Sequence, residues 1–475
     1  MLDRKTAIRT YADNVAEQRD QWRAKSVAYY SDDLKYMRFL VAEGCRVLDL
    51  GCSTGTLLAG LNPARGVGVD FSEKMIEVAR RKYPALRFHV ADVEHLTSVK
   101  QELEGPFDFV LLSDTLGHLD DCQATLEQLH DLCHSQTRVV ISYYSHLWEP
   151  VLRVGEYLGL KMPQPEVNFL AAKDIENLLR LADFETIKVE WRQLVPRHLL
   201  GLGPIINRYI GPLPIIRRLC LRHYVVARSR RQPGRQLSAT VLIPCRNEKG
   251  NIEQAILRLP RFCSEMEVIF VEGNSTDGTH EECERVREKY SGTWNIKVLR
   301  QPGKGKGDAV RKGFEEARGD VLLILDADLT MPPEDLPKFY KAVVERKGEF
   351  VNGTRFVYPM EKGAMRFLNY WANRVFALIF SFLLNQRLTD TLCGTKALTK
   401  HSYQKIVGGR EYFGDFDPFG DFDLIFGAAK QSLKILEVPI RYVSRSYGET
   451  QIHRFRDGWL LLRMVAYAWR KLKAI

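Results

Sequence analysis

At 475 residues the chain is about three times the length of an average domain, which excludes one small module and predicts two or three separate cores. Hydrophobic residues at 45% and charged residues at 27% exclude a disordered or collagen-like chain. A formal charge of +10 biases the surface toward phosphates, nucleotides or anionic lipid without choosing among them. Nine cysteines, none in a CxxC pair, suit a reducing compartment. Met1-Leu2-Asp3-Arg4-Lys5 opens a polar stretch with no apolar h-region, so a cytoplasmic location is expected.

Short apolar runs alternate with helical patterns along the chain, the signature of parallel α/β architecture, and the alternation restarts near residue 239. In the first series, Arg46–Leu50 is a buried-strand pattern that runs into Gly51-Cys52-Ser53-Thr54-Gly55 and then a helix start. Glycines there let backbone approach a ligand at the sheet edge where open α/β folds bind nucleotides. Nineteen residues after Gly51, Asp70 ends the run Gly66–Val69, where a carboxylate can accept both hydroxyls of a ribose; capping of the next helix is the competing role. The G-x-x-x-G spacing departs from the dinucleotide G-x-G-x-x-G. His130 and His134 can share a helix face, yet no further ligands are spaced with them, which argues against zinc.

The V-L-D-L-G-C-S-T-G strand and turn, V-G-V-D-F-S-E-K-M-I-E-V-A-R, Ala91-Asp92 and Phe107–Val110 together resemble the class I S-adenosylmethionine-dependent methyltransferases over about residues 40–145. The resemblance implies a Rossmann-like fold in which Asp49, Gly51 and Gly55 frame the methionine part of the cofactor, Asp70 holds the ribose and Asp92 lies beside the adenine. Methyl transfer needs in-line positioning, and a base only for a hydroxyl acceptor. Asp114, His118 and His146 are the candidates.

Residues 196–222 mix Pro, Gly and aliphatic residues with five arginines and read either as a helical lid on the first domain or as an interdomain or membrane-facing insert. A basic linker follows at 229–238, which sets the first domain at 1–228 and the second at 239–453.

In the second domain, Thr240–Ile243 leads into Pro244-Cys245-Arg246-Asn247-Glu248, and Val268–Val271 ends in Glu272-Gly273-Asn274-Ser275-Thr276-Asp277-Gly278-Thr279. Val321–Leu325 delivers Asp326-Ala327-Asp328 to a strand end. Two carboxylates there are costly to hold together unless a cation compensates them, and a hard divalent ion on a diphosphate does so. The run Gly303-Lys304-Gly305-Lys306-Gly307 lacks the G-K-[ST] of a P-loop and opens a helix.

These motifs, with N-G-T-R (352–355), D-T-L-C-G-T-K-A-L (390–398) and R-S-Y-G-E-T (445–450), resemble the GT-A fold of glycosyltransferase family 2, and within it the polyprenyl-phosphate sugar synthases. The resemblance implies that Pro244, Arg246 and Glu248 contact the nucleoside, that Asp326 and Asp328 hold Mg²⁺ or Mn²⁺, and that Arg355 and Arg445 meet phosphates. Where many members carry Asp-Asp this chain has Glu272-Gly273, so Glu272 takes the base-reading place or that role is missing. Gln451 stands where mannose-type members place a lysine; His453, Arg454 or Arg456 can compensate, and His453 can ligate the metal. Of the acids at 415, 417, 421 and 423, Asp421 or Asp423 is the expected acceptor-side catalytic group.

Residues 454–475 read as an amphipathic basic helix and 364–384 as a second apolar segment, its polar residues 366, 369 and 373 forming one stripe; both suit a membrane surface. The expectation is therefore an α/β chain of two domains, a class I methyltransferase fold followed by a GT-A fold. The expected activity is metal-dependent, inverting transfer of a sugar from a nucleotide-sugar donor to polyprenyl phosphate or a glycan at the cytoplasmic face of a membrane, coupled to S-adenosylmethionine-dependent methylation; the alternative is that the first domain is a non-catalytic binding or docking module. No nucleic-acid partner is expected, because no aromatic-basic recognition motif is present.

Overall fold

The computed structural model describes residues 4–164, 168–231, 236–357, 367–414, 421–443, 447 and 454–475. Contacts divide the chain into one compact unit comprising Met1–Gln232 and Lys473–Ile475 and another comprising Pro233–Leu472. The C-terminal segment is thereby shared: its helix belongs to the second unit and its last three residues to the first.

The first unit is a seven-stranded sheet built from β1 (Arg46–Leu50), β2 (Arg65–Asp70), β3 (Arg87–Val90), β4 (Phe107–Ser113), β5 (Cys133–Tyr144), β6 (Phe184–Arg192) and β7 (Arg222–Ser229). Their order is β3-β2-β1-β4-β5-β7-β6, with β7 antiparallel to both neighbours and the other pairs parallel. Val47, Leu48, Val110, Leu111, Val139 and Ile141 are buried, as central parallel strands with two covered faces require. Chain order reverses between β1 and β4, so the turns after those strands open a crevice at their C-terminal ends. Helix α1 (Arg4–Val15) packs against α2 (Glu73–Lys82), with Ala12, Val15 and Ala16 on Met75 and Val78. A third helix, α3 (Glu149–Tyr157), follows β5 and buries none of its residues.

The second unit is also a seven-stranded sheet: β8 (Ala239–Cys245), β9 (Met266–Glu272), β10 (Asn295–Arg300), β11 (Val321–Ile324), β12 (Phe350–Thr354), β13 (Lys396–Thr399) and β14 (Ile435–Pro439). Its order is β10-β9-β8-β11-β13-β12-β14, with β13 antiparallel to both neighbours. Here the switch point lies between β8 and β11, and it receives the turns at 246–248 and 325–328. Helix α4 (Lys306–Glu316) packs on β8 and β9. Later come α5 (Phe367–Leu384), α6 (Phe422–Lys430) and α7 (Arg454–Ala468).

Two sequence expectations change. His130 lies in a 3-10 turn and His134 on β5, so they share no helix face; His130 bonds Ser229 and the Ala182 carbonyl, and His134 meets Asp108. The polar stripe of α5 does not face out as a whole: Asn373 is buried and donates to Asp390 Oδ1, whereas Val375 and Leu378 are exposed. Nothing is described of the side chains at 366 and 369. Helix α7 likewise turns Leu461, Met464 and Ala468 inward and leaves Trp459 and Leu462 out.

Lys473 is fully buried in the first unit, donates to Glu190 Oε2 at 2.7 Å, and is pushed by burial down to about 8. Removing one partner of a buried pair strands the other charge. Lys473→Ala is expected to cost about 3 kcal/mol in urea unfolding, and Lys473→Met with Glu190→Leu to restore most of it. Equal stability of the single variant and the native chain would refute this.

Candidate active sites

At the first switch point, Gly51 holds φ +79°, and a Cβ there would lie 2.5 Å from Thr115 Oγ1, which itself donates to the Leu50 carbonyl at 2.7 Å. The turn therefore needs glycine. Ser53 N donates to Asp70 Oδ2 at 2.9 Å and Ser72 N to Oδ1 at 3.0 Å. The next helix is capped by Ser72, not Asp70. Burial pushes the Asp70 carboxyl up against these two bonds.

Gly51, Ser53, Asp70, Asp92, Asp114, Thr115 and His118 line a cavity of about 150 Å³ together with Lys5, Ile8, Tyr11, Val15 and Arg19 of the N-terminal segment. Asp49 and Gly55 are not in its lining. Gly55 holds φ +72° beneath Phe88, and Asp49 is buried in β1 with Oδ1 lacking a hydrogen-bond partner. Desolvation, then the charge of Asp70, pushes Asp49 up to about 7. Asp92 accepts from Lys5 Nζ at 2.5 Å and Glu94 N at 3.0 Å; burial raises its carboxyl, but these bonds hold it below the usual range.

Of the acceptor-side candidates, Asp114 and His118 reach this cavity and His146 does not. Asp114, at φ +58°, accepts from Arg222 Nη1 at 2.9 and 3.0 Å, and buried Arg222 also meets Asp33 at 3.1 Å. Burial and the charges of Arg4, Arg19 and Lys161 push His118 down to about 4, which keeps the imidazole neutral; its Nδ1 has no partner. The wall formed by α1 was missed in the sequence, although Ile8, Ala12 and Val15 sit at helical spacing.

In the second unit, Asn247 (φ +55°) bends the chain after β8. Its backbone N donates to Ser275 Oγ at 3.0 Å, and its Oδ1 accepts from Thr276 N at 2.9 Å. Pro244 is half-buried and Arg246 exposed, while Glu248 Oε2 accepts from Asn251 Nδ2 at 2.7 Å. Glu272 ends β9, buried, and accepts from Ser275 N at 2.5 Å. These turns meet across β8 and β9, which are paired in parallel.

Asp326 receives Lys306 Nζ at 2.7 Å, and Lys306 lies 3.9 Å from Asp421. Burial alone would raise the Asp326 carboxyl; Lys306 reverses this and holds it below the usual range. Fully buried Lys396 donates to Asp421 Oδ1 at 2.8 Å and to the Cys393 carbonyl at 2.6 Å. Gly394 closes the cluster: a Cβ there would stand 1.9 Å from Asp326 Oδ2 and 2.2 Å from Lys306 Nζ. Asp328 Oδ1 accepts from Thr330 N and Oγ1 at 3.1 and 2.8 Å. The cation compensating Asp326 in this structure is thus a lysine, which the motif reading missed although Lys306 sits in the glycine-lysine run.

The two acceptor-side acids separate. Asp421 joins the cluster, whereas Asp423 pairs with Arg410 at 3.0 Å. Arg355 makes a bidentate pair with buried Asp390 at 2.6 and 2.8 Å, so its fork is already engaged. Arg445, His453, Asp415, Asp417 and Gln451 lie outside the described residues. Among the described residues no group of three or more His, Cys, Asp or Glu side chains is placed to hold a metal ion. The donor chemistry of Asp326 and Asp328, two hard carboxylates beside a replaceable ammonium, still fits a hard divalent cation.

Residues 240–407 match the family model described as Glycosyl transferase family 2, and residues 11–189 match a methyltransferase domain. A glycosyltransferase AglJ of Haloferax volcanii is 31% identical over 225 residues, 46% of this chain and 68% of that protein. A dolichol-phosphate mannosyltransferase of Pyrococcus furiosus is 30% identical over 50% of this chain and 64% of its own length, so this chain spans a little under two thirds of it. A solved S-adenosylmethionine-dependent methyltransferase of Thermotoga maritima, described as a possible histamine N-methyltransferase, aligns at 17% identity and TM-score 0.37 over 46% of this chain and 98% of that one. The chain is a transferase of two α/β domains. It belongs to glycosyl transferase family 2 through its second unit and carries a methyltransferase domain in its first.

The Asp49 carboxyl gives a test of the first site. Its value in the folded chain lies above that of an exposed carboxylate, so stability is fully present below pH 4 and declines as pH rises to about 7. Asp49→Asn removes the decline. Above pH 7 the variant is expected to be more stable by on the order of 4 kcal/mol, and parallel pH–stability curves would rule the burial cost out. In the second site, Gly394→Ala is expected to keep the fold by circular dichroism and reduce sugar transfer at least about 100-fold, because the methyl displaces Asp326 or Lys306.

Proposed function

We propose that the second unit transfers a sugar, with inversion, from a nucleotide-diphosphate donor to a polyprenyl phosphate, and that the first binds S-adenosylmethionine and methylates the sugar or a related glycan. One observation carries the first part. Each described carboxylate of the cluster is already committed: Asp326 to Lys306, Asp421 to Lys396, Asp390 to Arg355, and Asp328 to Thr330. An acceptor hydroxyl must give its proton to a base, whereas a phosphate arrives ionised and needs cations to position it. Arg355 and Lys396 are engaged by their carboxylates, and Lys306 would supply a cation once a metal ion takes its place on Asp326. The curated relative named a dolichol-phosphate mannosyltransferase supports the same acceptor class.

In this reading an acceptor phosphate oxygen forms a bond to the anomeric carbon as the bond from that carbon to the donor diphosphate breaks, and the nucleoside diphosphate leaves with the electron pair. Asp326 and Asp328 would hold Mg²⁺ or Mn²⁺, which when bound offsets the charge of the leaving diphosphate. Lys306 adds a positive charge beside it. Asp421, held by Lys396, orients the donor rather than removing a proton. Glu272, Glu248 and Pro244 face the nucleoside.

The first unit's cavity suits the cofactor, since Asp70 keeps lone pairs for a diol and Gly51 admits close approach. Asp49 is a buried carboxylate behind the turn that a sulfonium or ammonium charge would help compensate. Among the described residues no helix is long and apolar enough to cross a membrane. Peripheral attachment at the cytoplasmic face fits the outward Val375, Leu378, Trp459 and Leu462.

Purified full-length protein with S-adenosylmethionine, Mg²⁺ or Mn²⁺, a nucleotide-sugar panel and a short polyprenyl phosphate should yield a glycolipid by mass spectrometry. Asp328→Asn should lower its formation at least about 100-fold and leave S-adenosylmethionine binding unchanged, and Asp70→Ala should weaken that binding and spare sugar transfer. Absence of any lipid-linked sugar from every donor defeats the reading.

A further inference from the structure

We infer that the first unit carries its own docking face for an anionic lipid bilayer, formed by residues 197–219 between β6 and β7. This goes beyond the reading above, because it needs neither polyprenyl phosphate nor catalysis.

The composition is one-sided. Between residues 191 and 247 stand eleven arginines and no aspartate, glutamate or lysine, so this stretch carries more positive charge than the +10 of the whole chain, and the remainder is close to neutral. Part of that charge is used internally, as in Arg222 with Asp33 and Asp114 and Arg228 with Glu185. Arg197, Arg208 and Arg218 are exposed, within the same stretch as Leu199, Leu200, Leu202, Ile205, Ile215 and Leu219, which are exposed as well. Leu200 is fully exposed and Ile215 85% exposed.

This is a built surface and not a frayed loop. The backbone forms short helical turns at Leu199–Gly201, Leu202–Ile205, Ile206–Ile210 and Ile216–Leu219. Asn207 clamps Val195 from beneath, its Oδ1 accepting from the Val195 N–H and its Nδ2 donating to the Val195 carbonyl, both at 2.8 Å. Cys220 and Leu221 are buried, and the Trp148 indole donates to the Leu219 carbonyl at 2.8 Å. Gly203 packs so closely on the Arg197 carbonyl that a Cβ would lie 1.9 Å from it. The segment's backbone is anchored, and its large aliphatic side chains and three of its arginines are turned out.

Aliphatic side chains interleaved with arginines, with no carboxylate in the segment itself and half-buried Asp32 bonded to Asn207, match a headgroup layer: the aliphatic groups enter the acyl boundary and the guanidinium groups pair with lipid phosphates. A nucleic acid uses the arginines but leaves the leucines and isoleucines in water. A second copy of the chain buries the aliphatic groups but sets arginine against arginine. The bilayer satisfies both halves of the face.

The test is flotation of the full chain with vesicles of phosphatidylcholine alone, or with about a third phosphatidylglycerol, neither containing polyprenyl phosphate. The native chain is expected to partition onto the anionic vesicles and to release with salt. Leu200→Asp with Ile215→Asp should weaken partitioning at least tenfold, Arg197→Gln with Arg218→Gln should weaken it severalfold on anionic vesicles alone, and Leu257→Asp, an exposed apolar position of the second unit, should leave it unchanged. Melting temperatures of the variants, expected to match the native chain, check that the substitutions stay at the surface. The inference falls if the native chain ignores anionic vesicles or if the Leu200/Ile215 variant binds as the native chain does. It falls equally if that variant's only effect is to dissolve a lipid-free oligomer, or if the arginine pair governs binding to RNA and not to vesicles.

Discussion

A carboxylate placed at the C-terminal edge of a buried parallel strand has to be compensated, and the second unit is organised around that requirement. Asp326 and Asp421 come from distant parts of the sequence, yet Lys306 lies within reach of both and Lys396 holds Asp421 from behind. Several other features follow from this knot. Gly394 is the residue that allows it to close, since any side chain there would overlap Asp326 and Lys306. Behind it, Asp390 is gripped by Arg355 and Asn373 while Glu437 accepts from the Thr389 and Asp390 N–H groups, so the strand-to-strand loops carrying the cluster are fixed by hydrogen bonds at each step.

The first unit meets the same requirement differently. Asp70 also stands at a strand end beside a switch point, but two backbone N–H groups compensate it and no lysine does. The difference decides what each site can take. An ammonium partner can be exchanged for another cation, so Asp326 is suited to a ligand that brings charge. Backbone donors stay in place, so Asp70 keeps its remaining lone pairs for neutral hydroxyl groups.

Much of this was legible because strands buried on both faces read as continuous apolar runs, and polar residues immediately after such runs mark a sheet edge. The runs at 46–50, 66–69, 240–243 and 321–325 gave β1, β2, β8 and β11, and with them Gly51, Asp70 and Asp326. What stayed hidden is pairing across the fold. That Lys306 answers Asp326, or that Arg355 is held by Asp390 35 residues away, follows from tertiary contact and has no local periodicity to reveal it. Asp421 and Asp423 looked equivalent because they are two apart; the start of α6 sends one to Lys396 and the other to Arg410. His130 and His134 separate for a related reason: four-residue spacing means a shared face only in a helix, and the chain becomes a strand between them.

The two units also differ in what they can do with a proton. In the second, the described acids at the cluster are paired, and a sugar acceptor that must be deprotonated finds no uncommitted base among them. In the methylation proposed for the first, Asp114 is paired with Arg222, which it shares with Asp33, and largely buried His118, uncharged and with Nδ1 unpartnered, is the group on the cavity wall that would accept a proton from a hydroxyl. The cations near it, Arg4, Arg19 and Lys161, disfavour its charged form and therefore oppose holding that proton for long. Such a group suits a transfer in which bond formation to the methyl carbon makes the hydroxyl strongly acidic and the proton then passes on to water. The proposed function thus asks the chain to serve one acceptor that arrives as an anion and one that becomes acidic only as it reacts.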